Sequence, residues 1–196
     1  MKKKRLIVGL TGVFGSGKST VGKIMKRLGA RRVIDSDQLT HEVFKPKHPV
    51  GRRIKALFKM KGAVNRKLIA KEVFSNPAKR RQLEKIIHPY VYRRMISELK
   101  RIPNGIVILE VPLLFEAKFN RICDITIAVL AGRHNITKRL ARSGFSPNEV
   151  QVRLRAQLSE SEKKKRADLY IENSGSKKLL IQRVKSIWQK LQASLN

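Results

Sequence analysis

Gly12-Val13-Phe14-Gly15-Ser16-Gly17-Lys18-Ser19-Thr20 decides the reading of this 196-residue chain. The order Gly12, four residues, Gly17-Lys18-Ser19 fits the Walker A pattern of a triphosphate-binding loop. Glycines tolerate backbone torsions that other residues resist, so consecutive N–H groups can turn inward around phosphate oxygens. Gly12, Gly15, Ser16, Gly17 and Thr20 would form that cradle. Lys18 would reach the β- and γ-phosphates, and the Ser19 hydroxyl would ligate Mg²⁺. The flanks agree. Leu6-Ile7-Val8-Gly9-Leu10 reads as a buried parallel strand. Val21, Ile24, Met25 and Leu28 recur at the spacing of an amphipathic helix, which Gly29 ends. A glycine-rich turn with no ligand would need neither flank.

Charge is the second strong signal. Lys and Arg number 45 against 14 Asp and Glu, a formal net charge of +31, with a sequence pI of about 11.2. Small basic runs stand at Lys2–Arg5, Lys79–Arg81 and Lys163–Arg166, but the charge is spread along the chain. That predicts a generally basic surface with non-specific, salt-dependent attraction to polyanions. No specific nucleic-acid partner is expected, since the sparse aromatics are not interleaved with the basic runs. The start, Met1–Arg5 followed by Leu6–Gly15, imitates a secretory signal. Its apolar core, however, contains the phosphate loop, runs into Lys18 and offers no small-residue cleavage site, so a cytoplasmic protein is expected. Apolar stretches are strand-sized, which predicts no membrane span. The single cysteine, Cys123 in Ile122-Cys123-Asp124-Ile125, reads as an inert buried thiol.

Strand and helix patterns alternate, which predicts an α/β fold with a parallel sheet. Strands are expected at Arg5–Leu10, Arg32–Asp35, Gly105–Pro112, Asp124–Leu130 and Leu169–Asn173. Helices are expected at Lys18–Leu28, at about 37–44, over most of 51–101, at Asn135–Ser143, from Ser146 onward, and at Ser176–Leu195. Breaks fall near Lys61-Gly62 and Ser75-Asn76-Pro77, where Asn76 would cap a helix with Pro77 at its first position. Ser146-Pro147-Asn148-Glu149 has the parts of a capping box. The length suits one domain with a core at about 1–40, 102–137 and 167–196, a helical insertion at about 41–101, and a basic helical flap at about 138–166.

Few acids are present, so each position matters. Asp35-Ser36-Asp37 follows the second strand, at the end of the sheet where ligands bind. An acid beside a γ-phosphate is unwelcome unless it orients a hydroxyl and accepts its proton. A helix N-cap is the plainer reading of the same residue. Glu110, near the carboxyl end of the third strand, sits where a Walker B carboxylate holds Mg²⁺ or its water. Arg139 and Arg142 share a helix face, and with Arg153 and Arg155 they give the flap guanidinium groups suited to closing over a nucleotide. His88-Pro89 disturbs a helical stretch, since the residue before proline resists helix, and a bend is expected there. His41, His48 and His134 have no metal-ligand spacing with one another or with Cys123.

Taken together, these segments resemble the dephospho-coenzyme A kinase family over nearly the whole chain. The resemblance rests on Gly9-Leu10-Thr11-Gly12 running into Gly15–Val21, on Asp35-Ser36-Asp37, and on Leu83-Glu84 leading to His88-Pro89-Tyr90-Val91. It continues through Val111-Pro112-Leu113-Leu114-Phe115-Glu116, Arg153 with Gln157, and Ala167-Asp168 leading to Asn173-Ser174-Gly175-Ser176. It implies a three-layer, P-loop NTPase-type parallel sheet flanked by helices, with a helical substrate-binding insertion and a helical lid. It further implies transfer of the γ-phosphoryl of ATP to the ribose 3′-hydroxyl of dephospho-CoA. In that scheme Asp35, Lys18 and Arg142 are catalytic. Arg139 and Arg153 join the loop in binding ATP, while Asp35, Asp37, His88, Pro112, Leu113 and Leu114 meet the acceptor. Ser19, and Glu110 through water, hold Mg²⁺. ATP and dephospho-CoA are the expected partners of a monomer or weak homo-oligomer without a membrane. Two positions depart from the family pattern: Ser36 where alanine is usual and His41 where arginine is common. The rival readings are a P-loop kinase for a nucleoside or nucleotide and, on charge alone, a nucleic-acid-binding P-loop protein.

Overall fold

The strand-sized apolar runs all enter one sheet. A computed structural model describes residues 5–195, with the side chain of Phe74 excepted. Met1–Lys4, which carry most of the first basic run and the signal-like start, lie outside the described residues. The chain divides into two units, Met1–Asp35 with Leu99–Asn196, and Ser36–Glu98.

In the first unit five strands, β1 (Arg5–Thr11), β2 (Arg32–Asp35), β3 (Gly105–Glu110), β4 (Ile125–Leu130) and β5 (Leu169–Glu172), lie in the order β2-β3-β1-β4-β5. Every pairing is parallel. Parallel strands are covered on both faces, and β1 shows it, since Val8, Gly9, Leu10 and Thr11 are all buried. One face packs on α1 (Lys18–Arg27) and α9 (Lys177–Ala193), whose Val21, Ile24, Met25, Val184 and Trp188 share a core with Val8, Leu10, Ile108 and Ile127. On the other face Gly9 leaves room for Leu114 and Cys123, where a Cβ would stand 2.7 Å from Sγ. As expected from the sequence, Gly29 follows the end of α1, at φ 115°.

Register then places the chemistry. Leu10 of β1 and Asp35 of β2 both stand opposite Glu110 of β3. The loop between β1 and α1 therefore leaves the sheet beside Glu110, at the carboxyl ends where an open α/β sheet binds ligands.

Residues 133–166 form three helices, α6 (Arg133–Arg142), α7 (Pro147–Arg155) and α8 (Glu160–Arg166). The capping box expected at Ser146 and Glu149 starts α7. A second box at Ser159 and Glu162 starts α8, a helix absent from the sequence reading because its Lys163–Arg166 run resembles a solvated charge cluster. The second unit holds α2 (Ser36–Glu42), α3 (Pro49–Leu57) and α4 (Arg66–Ser75), with α5 (Pro77–Lys100) running from it into the first. Asn76 accepts from the Lys79 N–H in the first turn of α5, with Pro77 leading the helix as expected. At His88-Pro89 the chain stays helical. The helix continues through Pro89, because proline removes one hydrogen bond while Leu83, Ile87, Val91 and Met95 keep one buried stripe across it. Among the described residues no helix is long and apolar enough to cross a membrane.

Candidate active site

The loop from Gly12 to Thr20 is built by close approach. A Cβ on Gly12 would lie 2.5 Å from Ser16 Oγ and 2.7 Å from the Val129 carbonyl. Gly15 and Gly17 take φ of 81° and 92°, the left-handed region that side chains resist. Gly17 is the residue before α1, so the first N–H groups of that helix open toward the loop and favour an anion. Ser16 is fully buried, and among the described residues its Oγ has no hydrogen-bond partner. A buried hydroxyl without a partner costs free energy unless a ligand supplies one.

Glu110 organises the polar end of the site. Its carboxylate accepts from Ser19 Oγ at 2.5 Å and from Lys18 Nζ at 3.1 Å, and it is 4% exposed. Gly22, on the first turns of α1, gives that carboxylate room, since a Cβ there would stand 3.1 Å from it. Asp35 is its register neighbour on β2. Two hard oxygen donors beside a phosphate loop suit Mg²⁺, which keeps waters and phosphate oxygens in its shell and needs few protein ligands. No group of three His, Cys, Asp or Glu able to cage a metal exists among the described residues.

Arg139 reaches the loop from α6. Its guanidinium donates to the Ser16 carbonyl at 3.3 Å and to the Asn173 carbonyl at 2.6 Å. Asn173, just past β5, donates Nδ2 to the same Ser16 carbonyl at 2.7 Å. Arg153 of α7 lies 4.8 Å from the centroid of Phe14 and 5.0 Å from that of Phe145, and the two rings meet edge to face. Gln157 accepts from the Phe14 N–H at 2.9 Å. Arg142 and Thr20 are exposed.

In the acceptor segment Leu114 is fully buried, its methyls against Gly9 of β1. Pro112 and Leu113 are half-buried. In the second unit Asp37 is exposed, and His88 is half-buried, where burial lowers its pKa from the ordinary imidazole value. His41 and His48 have structural partners, Arg66 and the Val50 N–H. Burial pushes the Cys123 thiol up to about 12, with Asp124 and Asp168 adding to the effect, in keeping with an inert residue.

Two polar anchors escaped the sequence reading as site residues. Glu160 receives the Ala131 and Gly132 N–H groups at 2.6 and 3.0 Å, fixing the start of α6. Lys163 is wholly buried and binds Glu116, the Pro112 carbonyl and Thr11. The capping-box spacing Ser159 to Glu162 was the available clue to this segment.

A parallel sheet in this strand order, with a Walker A loop after its central strand and a β3 carboxylate against the loop's lysine and serine, defines a P-loop kinase. A solved structure from Thermus thermophilus is 38% identical and superposes with a TM-score of 0.83, covering 96% of this chain and 99% of the other. A shikimate kinase from Acinetobacter baumannii, 19% identical at a TM-score of 0.57 and covering 97% and 95% of the two chains, shares the fold. A family model described as Dephospho-CoA kinase matches residues 6–178. A dephospho-CoA kinase from Carboxydothermus hydrogenoformans is 36% identical across 94% of this chain and 93% of its own length. The chain belongs to the dephospho-CoA kinase family.

Proposed function

We propose that this protein transfers the γ-phosphoryl of ATP to the ribose 3′-hydroxyl of dephospho-CoA, giving CoA and ADP, the last step of coenzyme A synthesis. Besides family membership, the observation that carries this reading is the register pair Asp35 and Glu110 beside Lys18 and Ser19. The pair supports a reading in which Glu110 serves the phosphate side and Asp35, one strand away, serves the hydroxyl.

Lys18 swings from Glu110 to the β- and γ-phosphates, and the loop N–H groups from Gly12 to Thr20 hold the remaining oxygens. Ser19, and Glu110 through water, hold Mg²⁺, which when bound offsets charge on the phosphate oxygens. Asp35 orients the attacking hydroxyl and accepts its proton. Arg139 and Arg153 meet ATP, and Arg142 joins them as charge spreads over the transferring group. Residues 138–166 act as a lid that excludes water. Pro112 and Leu113 meet the acceptor, and in the helical unit Asp37 and His88 do so. The cytoplasm is the compartment, and the active species is a monomer or weak homo-oligomer.

Mass spectrometry after incubation with Mg-ATP and dephospho-CoA tests the reading. The expected result is one added phosphoryl group on the ribose, lost in Asp35→Asn while ATP still binds. ATP binding without that product would discard the acceptor and direct the search to other hydroxyl compounds. Equal loss of binding and turnover in Asp35→Asn would make the residue structural.

A further inference from the structure

A fully buried lysine in a chain with this much surface charge is the least explained group in the first unit. Lys163 Nζ donates to Glu116 Oε1 at 2.8 Å, to the Pro112 carbonyl at 2.8 Å and to Thr11 Oγ1 at 3.4 Å. The Thr11 hydroxyl itself donates to the Pro112 carbonyl at 3.1 Å. Glu116 Oε1 also receives the Leu158 N–H at 2.8 Å. One residue earlier, Gln157 holds the Phe14 N–H. Three segments thus meet at one ammonium group: the end of β1 that feeds the phosphate loop, the Pro112–Glu116 turn, and the stretch that leads from α7 into α8.

Burying this charge is expensive. Desolvation outweighs the attraction of Glu116 and lowers the Lys163 pKa from its ordinary value. Well-packed apolar residues often replace a buried ion pair without loss of stability. Stability alone is therefore a weak reason for the pair.

We propose that Lys163 and Glu116 are positioning residues that fix the Pro112–Leu113 acceptor segment against the phosphate loop, so that the γ-phosphoryl goes to the acceptor rather than to water. The inference rests on the proposed acceptor role of Pro112 and Leu113. In transfer, the acceptor oxygen bonds to phosphorus as the bridging P–O bond to ADP breaks, and the hydroxyl proton leaves to Asp35. In hydrolysis, water takes the hydroxyl's place and inorganic phosphate results. A tethered hydroxyl misplaced by about 1 Å loses on the order of 100-fold in rate. Water is small and abundant, so it loses far less. Loosening the joint should therefore separate the two outcomes.

The test compares ADP formed with phosphorylated acceptor formed, in the full-length protein, for wild type, Lys163→Met and the double variant Lys163→Met/Glu116→Leu. The double variant removes both charges together, so it does not depend on tolerance of an unpaired buried carboxylate. Wild type should give one ADP per product. Both variants should make product at least about tenfold more slowly, with several ADP per product and a KM for ATP near that of wild type. A ratio held at one in the folded double variant overturns the proposal, whatever the rate. A rise in KM for ATP at a ratio of one marks general loosening and overturns it as well. A wild-type protein that makes no product sinks the functional reading, and this inference with it.

Discussion

At Gly17 two constraints meet in one residue: a left-handed backbone and a neighbour that leaves no room, since a Cβ would collide with the Asn173 amide. Gly17→Ala should therefore cost about 1–3 kcal/mol in chemical unfolding, besides reducing ATP binding. Lys18→Ala acts differently. It removes the charged partner of Glu110 and the proposed contact to the phosphates, so ATP binding and turnover should fall together, whereas Asp35→Asn should lose turnover alone. For Cys123, a thiol pushed from near 9 to about 12 should carry roughly 10³-fold less thiolate at pH 8 than in the unfolded chain. Alkylation kinetics under native and denaturing conditions check this, and a native rate near the denatured one would contradict it. The phosphate loop was legible because its chemistry is local, nine consecutive residues with flanks of the right period. Lys163 was not. Its Thr11 and Glu116 partners lie 152 and 47 positions away, and nothing in a lysine run marks which ammonium group the fold will bury.

Helix ends follow the same division between local and distant causes. The Ser146 to Glu149 box could be read because both partners sit within one turn, and Ser146→Ala should cost about 1 kcal/mol of stability. The equivalent box at Ser159 was masked by the charge run that follows it, although its geometry is the same. Pro89 shows the reverse case. Local rules disfavour helix at the residue before proline, yet the buried stripe along α5 carries the helix across it. Because Pro89 is exposed, Pro89→Ala removes little packing and restores a backbone donor. It should stabilise the protein by about 1–3 kcal/mol in denaturant titration. Between α2 and α5, the Glu42 carboxylate accepts from the Tyr90 hydroxyl at 2.7 Å and from Arg94 Nε at 3.2 Å. Tyr90 first, and Arg94 after it, hold the Glu42 carboxyl below its ordinary value of 4.5 against the opposing effect of burial. A depressed carboxyl contributes stability that is present above its unfolded pKa and is lost as pH falls through the folded value. The stability gap between wild type and Glu42→Gln should accordingly be full at neutral pH and close below about 4.5. A gap independent of pH would show that the charge of Glu42 is immaterial.

For the molecule as a whole, a formal charge of +31 predicts adventitious binding to nucleic acid. If it covers 6–10 phosphates, affinity should fall by about 10³- to 10⁵-fold between 50 and 200 mM salt. Binding that persists at high salt would point to a dedicated site. The α/β class was legible because strand and helix periods alternate along the chain. The strand order was not, since it depends on pairings between segments about a hundred residues apart. β1 pairs only with β3 and β4, the first of which begins at Gly105 and the second of which ends at Leu130. This arrangement separates the loop from its support along the chain. The Walker residues precede both neighbours of their strand by about a hundred positions. A nascent chain halted before Gly105 carries the full nucleotide signature with neither neighbour of β1 to hold it, so the binding site comes into being long after its sequence has been read.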